Sequence, residues 1–167
     1  ENWGRPSVEV SMLMDLLVEM NRKEIAELNA NNVRLKAIGD LSRLPAKTRQ
    51  ELLNGIESTS GNDGLTLVLA ISYGGRSEIV HAAKEFARQY SKNPSLIDNL
   101  NEEAFKNFLF TKDIPDPELI IRTGGEKRIS NFLLWQSAYA ELYMTDILWP
   151  DFDKAALLDA IADETYV

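Results

Sequence analysis

The densest group of residues that could do chemistry lies between Arg122 and Ser130. Arg122 and Arg128 carry planar guanidinium groups whose paired donors match phosphate oxygens. The Gly124–Gly125 pair allows unusual dihedral angles and would let a ligand approach backbone N–H groups. Ser130 could cap a following helix, and a helix N-terminus attracts anions. The pattern would suit a diphosphate, and the alternative is a tight turn whose surface arginines pair with Glu126.

A second candidate is Glu141, which follows an apolar segment at the predicted start of a strand. Mg²⁺ typically takes one or two carboxylates together with substrate phosphates, so Glu141 could hold this ion beside the arginines. The alternative is a buried ion pair between Glu141 and one of the arginines.

Two further segments carry weaker signals. Tyr73–Arg76 places Gly-Gly and an arginine after an apolar strand, which is typical of either a phosphate loop or a plain tight turn. Near the start of the chain, Asn2, Arg5 and Glu9 precede or open a helix that is broadly apolar. Core packing is the usual reason for such a helix, and the lining of an apolar ligand site is the alternative.

Alternating elements must position these residues. Periodicity predicts helices over about 7–28, 46–58, 79–90, 102–109 and 153–162, with another beginning near 131. It predicts strands over 33–37, 65–71, 119–121 and 141–144, and the continuous apolar run 65–71 is typical of a strand buried on both faces. We therefore expect an α/β fold with a parallel central sheet flanked by helices, and ligands at the carboxyl ends of its strands.

Composition excludes several classes of protein. The 167 residues are 44% apolar and 26% charged, which predicts a single globular domain over residues 1–167. The absence of cysteine and the single histidine, His81, exclude disulfides, thiolate catalysis and histidine-rich metal sites. The formal net charge of −8 argues against nucleic-acid binding, and no apolar run approaches the roughly 20 residues of a transmembrane helix.

Three blocks of the sequence resemble the cis-prenyltransferases, most of all the bacterial members that make undecaprenyl diphosphate. The blocks are residues 1–6, ENWGRP; residues 72–79, SYGGRSEI; and residues 121–152, IRTGGEKRISNFLLWQSAYAELYMTDILWPDF. The resemblance implies an apolar tunnel beside the sheet, a cytoplasmic homodimer and a requirement for Mg²⁺. It implies condensation of isopentenyl diphosphate onto an allylic diphosphate such as farnesyl diphosphate. The C55 product would be the lipid carrier for cell-wall synthesis, delivered to the membrane.

The resemblance also implies roles for individual residues. Arg122, Arg128 and Ser130 would bind the diphosphate of isopentenyl diphosphate, Glu126 would support their loop, and Glu141 would help to coordinate Mg²⁺. Nearer the start of the chain, the implied roles concern the allylic substrate: Arg5 would reach its diphosphate, Asn2 would lie near the reacting centre, Trp3 would position the adjoining helix, and Glu9 would lie near the substrate.

One departure from the family pattern qualifies these expectations. The family opens with a strand and a His-x-Met-Asp-Gly-Asn loop, which the sequence from Glu1 onward lacks. The chain would then correspond to the C-terminal two-thirds of a prenyltransferase domain and would be weak or inactive alone. A non-catalytic partner subunit of the same fold is the alternative, and a phosphate-ester hydrolase is a third.

Overall fold

A computed structural model describes residues 24–164 of the chain, in which helices alternate with parallel strands. The helices are α1 (24–30), α2 (Ala46–Ser58), α3 (Gly75–Tyr90), α4 (Glu102–Lys106) and α5 (Lys154–Glu164). The strands are β1 (Arg34–Ile38), β2 (Thr66–Ala70), β3 (Leu119–Arg122) and β4 (Glu141–Met144). The predicted α/β class is therefore confirmed. Residues 7–23 of the predicted first helix, together with Asn2, Trp3 and Arg5, lie outside the described residues.

The described residues fall into two compact units that meet in sequence between Tyr73 and Gly74. In the first unit, β1 and β2 pair in parallel, with Arg34 opposite Thr66 and Ile38 opposite Ala70. The prediction of a single domain over 1–167 is not tested by this division and stays a prediction.

The core of the first unit forms where α2 packs against β1. Leu35, Leu44 and Leu52 are buried together there, and Leu28 and Leu69 pack around them. Thr59, fully buried at the end of α2, links the helix to the strand: its hydroxyl donates to Gly55 O and accepts from the Leu35 N–H at 3.0 Å. Helix and strand are thus joined by both apolar packing and a hydrogen bond.

Strand β2 is more exposed than its apolar sequence predicts. Leu65 is 71% exposed and Leu67 is 40% exposed, so the prediction of a strand buried on both faces is wrong for the described residues. Helix α2 lies against β1, and Leu28 of α1 packs beside the same core. Among the described residues, much of β2 is left uncovered.

In the second unit, β3 and β4 pair in parallel, with Leu119 opposite Glu141 and Arg122 opposite Met144. Buried side chains from β3, α3, α5 and the segment after α4 form its interior: Ile120, Ala82, Ala160 and Leu109. The prolines and short polar runs between these elements form 3-10 turns at Pro94–Asn99 and Trp149–Asp151. Helix α4 ends at Lys106, three residues before the predicted end.

The helix predicted to begin near Asn131 does not form. Ser130, Asn131 and Leu133 have φ angles of +47°, +62° and +47°, which lie in the left-handed region and cannot belong to a right-handed helix. Only the 3-10 turn Gln136–Tyr139 follows. The apolar run after Ser130 was compatible with a helix, but local backbone geometry determines a compact loop, called here the 130–134 loop.

The packing around α2 predicts a contrast between adjacent leucines. Leu52 is 1% exposed whereas Leu53 is 43% exposed. Leu52→Ala should lower the free energy of unfolding by about 2–5 kcal/mol because it leaves a cavity in the core. Leu53→Ala should lower it by less than about 1 kcal/mol. Urea denaturation measures both, and equal losses for the two variants would contradict this account of the core.

Candidate functional site

Arg122 is the last residue of β3, at the carboxyl end of the parallel pair. Its side chain is half-buried, and its Nε is buried without a hydrogen-bond partner within the described residues. Buried donors in native proteins are nearly always hydrogen-bonded, because an unmade bond costs about 1–3 kcal/mol. Arg122 thus presents a guanidinium donor that is desolvated and unused, which suits an anionic ligand.

The Gly124–Gly125 turn lies just after Arg122, and its backbone N–H groups are not available to a ligand as expected. The Gly124 N–H donates to Ile147 O at 2.8 Å, and the Gly125 N–H donates to Thr145 O at 3.0 Å. The φ angles of +82° and +74° serve this turn, which joins the end of β3 to the residues after β4. The prediction that these N–H groups face a phosphate is wrong, because both are already hydrogen-bonded within the protein.

Arg128 forms an ion pair with Glu126, with 2.6 Å between Nη2 and Oε2. The pairing proposed as the alternative to phosphate binding therefore exists for this arginine. Both side chains are well exposed, at 68% and 44%, and an exposed ion pair is worth only about 0–1 kcal/mol. A diphosphate with several negative charges could compete for Arg128 at little cost, so the pair holds the arginine near the turn without preventing binding.

Ser130 lies two residues after Arg128 and is exposed. No helix begins there, so the expected contribution of a helix N-terminus to anion binding at Ser130 is absent from the described residues. The hydroxyl remains as a donor at the start of the 130–134 loop.

Asn131 is a residue of this site that sequence reasoning missed. Its carbonyl accepts from the Gly75 N–H at 2.6 Å, and its side-chain Oδ1 accepts from the Arg76 N–H at 2.9 Å. These N–H groups belong to the first turn of α3, so Tyr73–Arg76 is not an open phosphate loop. Asparagine tolerates the left-handed region better than other side chains do, which was the one signal in the sequence.

Glu78, in the first turn of α3, was also missed. Its carboxylate is fully buried: Oε1 accepts from the Phe110 N–H at 2.9 Å, and Oε2 accepts from Gln136 Nε2 at 3.0 Å. The same Gln136 nitrogen donates to Thr111 Oγ1 at 2.8 Å. Sequence patterns cannot show this network, because its members are 25 to 58 residues apart.

Glu141 lies at the other end of the strand pair from the arginine. It is exposed at the first position of β4, where it pairs with Leu119, while Arg122 pairs with Met144 at the last position. At about 3.3 Å per residue, the two ends are roughly 10 Å apart. The strand pairing therefore does not bring Glu141 and Arg122 together, and the role of Glu141 stays a prediction.

A groove of about 460 Å³ in the second unit involves none of these residues. It is lined by Glu102, Glu103, Lys106, Asp116, Leu134, Trp135, Ala138 and Tyr139. The hydrogen bond from Lys106 to Asp116, 2.8 Å long, raises the pKa of the lysine, and the charge of Glu103 adds to the effect. The acidic rim of this groove is unsuited to a diphosphate.

Residues 24–164 contain neither a cluster of metal ligands nor a membrane-spanning helix. No group of three or more acidic, histidine or cysteine side chains is placed to hold a metal ion. No helix in this part of the chain has the length and apolar character needed to cross a bilayer.

Comparison with protein families gives a match over nearly the whole chain. The family model described as "Putative undecaprenyl diphosphate synthase" matches residues 1–165. Curated proteins named isoprenyl transferase from Clostridium tetani and Porphyromonas gingivalis are 52% and 51% identical to this chain over 163 residues. Each alignment covers 98% of this chain and 64% of the relative. The chain thus spans a little less than two-thirds of the length of these relatives.

Solved structures are similar as well. A lavandulyl diphosphate synthase from Lavandula x intermedia, crystallised with dimethylallyl diphosphate, has a TM-score of 0.95 and 36% identity. A probable undecaprenyl diphosphate synthase from Campylobacter jejuni has a TM-score of 0.84 and 38% identity. The two matches cover 99% of this chain and 72% and 76% of those chains.

The buried network predicts that Glu78 stabilises the protein. Glu78→Ala leaves the Phe110 N–H without the acceptor Oε1 and removes one of the two acceptors of the Gln136 amide, and should lower the free energy of unfolding by about 2–4 kcal/mol. The control is Glu103→Ala, which removes an exposed ion pair with Lys106 and should cost less than about 1 kcal/mol. Urea denaturation of both variants is the measurement, and a Glu78→Ala loss as small as the control would refute the network.

Proposed function

The chain belongs to the family of undecaprenyl diphosphate synthases, and from this premise we propose that it condenses isopentenyl diphosphate onto an allylic diphosphate within its full-length protein. Each step would form a new cis double bond and release diphosphate. The unused, buried donor of Arg122 is the observation that carries the proposal, because it calls for an anionic partner at the carboxyl end of β3.

We assign the isopentenyl diphosphate to Arg122, Arg128 and Ser130. Arg122 would bind it through a guanidinium whose Nε is already desolvated, and Arg128 would exchange its exposed ion pair with Glu126 for the ligand. Ser130 would donate its hydroxyl from the start of the 130–134 loop. Glu126 would act by holding Arg128 near the turn before the substrate arrives.

We assign the binding of the allylic substrate to residues outside the described part of the chain. As the family resemblance implies, Arg5 would bind its diphosphate, Asn2 would lie near the reacting centre, and Trp3 and Glu9 would support the substrate.

A growing hydrocarbon chain needs apolar surface. Leu65, just before β2, and Leu67, within it, leave large apolar side chains exposed, and the first helix is broadly apolar in sequence. We propose that they line part of an apolar tunnel. Each buried CH₂ contributes about 0.8 kcal/mol, so every added five-carbon unit would gain several kcal/mol.

We further propose that Mg²⁺ serves as cofactor. Glu141 offers an exposed carboxylate, the oxygen ligand that this ion prefers, and Mg²⁺ commonly completes its shell with substrate phosphates and water. The described residues fit one protein ligand and do not by themselves build a closed metal site. When bound, the ion would neutralise diphosphate charge.

The oligomeric state, cellular location and product are also proposed from the family resemblance. The enzyme would act as a homodimer in the cytoplasm. The product would be undecaprenyl diphosphate, delivered to the membrane as the carrier for cell-wall precursors.

The direct test is incorporation of radiolabelled isopentenyl diphosphate into a longer lipid diphosphate by the full-length protein supplied with farnesyl diphosphate and Mg²⁺. A cis-prenyltransferase produces a labelled series that extends to C55. A non-catalytic subunit produces none alone but raises the output of an active homologue. Phosphate release from simple esters without chain extension would identify a hydrolase and overturn the proposal.

Arg122→Ala should weaken binding of isopentenyl diphosphate by about 1.5–3 kcal/mol, the usual cost of a lost charged hydrogen bond. That loss corresponds to an increase of about 10- to 150-fold in Kd, which calorimetry measures directly. Arg88→Ala, at an exposed arginine in the last turn of α3, is the matched control and should leave Kd unchanged. Equal affinity in the Arg122 variant would exclude Arg122 from the site.

Glu141→Gln should raise the Mg²⁺ concentration that gives half-maximal incorporation, because an amide is a poorer ligand than a carboxylate. The control is Glu118→Gln. Glu118 is exposed, and its backbone carbonyl accepts a hydrogen bond from the Glu141 N–H. Because Glu118 is not assigned to the metal, this substitution should leave the Mg²⁺ titration unchanged. Identical titration curves for the Glu141 variant and the unsubstituted protein would remove Glu141 from the metal site.

A further inference from the structure

We propose that the first turn of α3 positions the 130–134 loop for diphosphate binding. The positioning residues are Gly75 and Glu78 on the helix and Asn131 on the loop. The inference rests on the proposed function, since it assumes that Arg128 and Ser130 bind a diphosphate. None of the three residues is assigned to touch the substrate. They act by holding the backbone that carries Ser130.

Asn131 caps α3 from a distant part of the chain. The N-cap residue Gly74 has no side chain with which to accept from the helix, yet the first N–H groups of a helix need acceptors. Asn131 supplies two, its carbonyl to Gly75 and its Oδ1 to Arg76. The residue immediately after Ser130 is therefore fixed to the start of a 16-residue helix.

The 130–134 loop needs such an anchor because its backbone is strained. Three of its residues, Ser130, Asn131 and Leu133, have φ angles between +47° and +62°. The left-handed region costs an ordinary L-residue about 1–2 kcal/mol, and a run of such residues persists only when its surroundings hold it. Without its contacts to α3, the loop would relax and Ser130 would move.

Gly75 allows the close approach that makes these contacts. A Cβ at position 75 would lie 2.7 Å from Leu134 Cγ and 3.0 Å from the Leu134 backbone nitrogen. The first distance is shorter than real Cβ contacts and the second is tighter than most of them, so a larger residue at position 75 must displace Leu134, both its side chain and the backbone that carries it. The φ angle of Gly75 is not in the left-handed region, and steric space alone therefore requires glycine here.

The same turn of α3 also holds the far side of the loop. Glu78 lies three residues after Gly75, on the same face of the helix, and its buried carboxylate binds Gln136 just beyond residue 134. The segment 131–136 is thus anchored at both ends by one helical turn. Such two-point anchoring is what keeps a donor on a loop within reach of its ligand.

Gly75→Ala tests the proposal in the full-length protein, with Gly61→Ala as the matched control, because a Cβ at position 61 meets no atom within 4 Å. Since a displacement of about 1 Å can cost up to 100-fold, we expect Gly75→Ala to raise KM and Kd for isopentenyl diphosphate about tenfold or more. KM for farnesyl diphosphate should change less than about twofold, and Gly61→Ala should change neither.

Asn131→Gly provides a second variant should Gly75→Ala fail to fold. Glycine keeps the left-handed backbone and the carbonyl that accepts from Gly75, and removes the side chain whose Oδ1 accepts from the Arg76 N–H, so KM for isopentenyl diphosphate should rise by a smaller factor. Because both substitutions act through one loop, the effects of Gly75→Ala and Asn131→Gly should not be additive in the double variant. Additive effects, or equal rises in KM for both substrates, would overturn the positioning role.

Amide hydrogen exchange provides a readout that needs no substrate. Exchange in residues 128–134 should be faster in Gly75→Ala than in Gly61→Ala, and unchanged exchange would overturn the anchoring. Faster exchange with unchanged affinity for isopentenyl diphosphate would overturn the role in binding. If the unsubstituted protein neither binds isopentenyl diphosphate nor transfers it, the proposed function fails and the diphosphate role fails with it, whereas exchange still decides whether α3 anchors the loop.

Discussion

A carboxylate that is removed from water must be hydrogen-bonded in the folded protein, because an unpaired buried charge is strongly destabilising. Glu78 satisfies this requirement with the backbone of Phe110 and the amide of Gln136, which belong to two other segments of the second unit. Displacing either segment costs the carboxylate one of these hydrogen bonds. The position of Gln136, and of the loop that ends just before it, therefore depends on one buried acid.

The contrast between the two arginines is chemically useful. Arg122 has a donor that is already dehydrated, so a ligand that reaches it gains a charged hydrogen bond without the full cost of removing water. Arg128 stays in solvent and bonded to Glu126, which neutralises its charge until a stronger anion competes. In a chain with a net charge of −8, an anionic ligand has to be bound by local arginines against the overall negative field.

Elements that depend on local patterns could be predicted from the sequence, and long-range contacts could not. The predicted bounds of α2 and β4 agree with the structure, because each element is encoded by the residue pattern within its own segment. The helix predicted after Ser130 does not form, because residues with left-handed φ angles interrupt the apolar run. These residues are held by contacts with α3. Periodicity does not report φ angles.

The candidate site shows the same division. Arg122 could be placed at a strand end from the sequence, and the structure places it there. The use of the Gly124 and Gly125 N–H groups within the turn could not be foreseen, because their acceptors lie about 20 residues later, beyond β4. The roles of Asn131 and Glu78 were hidden for the same reason.

The contact between Gly75 and Leu134 has a consequence for the history of this protein. Because a Cβ at position 75 would lie 2.7 Å from Leu134 Cγ, substitutions at the two positions are coupled. Alanine at position 75 becomes less costly once a smaller side chain at position 134 has removed that contact. The order in which such substitutions accumulate in a lineage is therefore biased, with position 134 changing first.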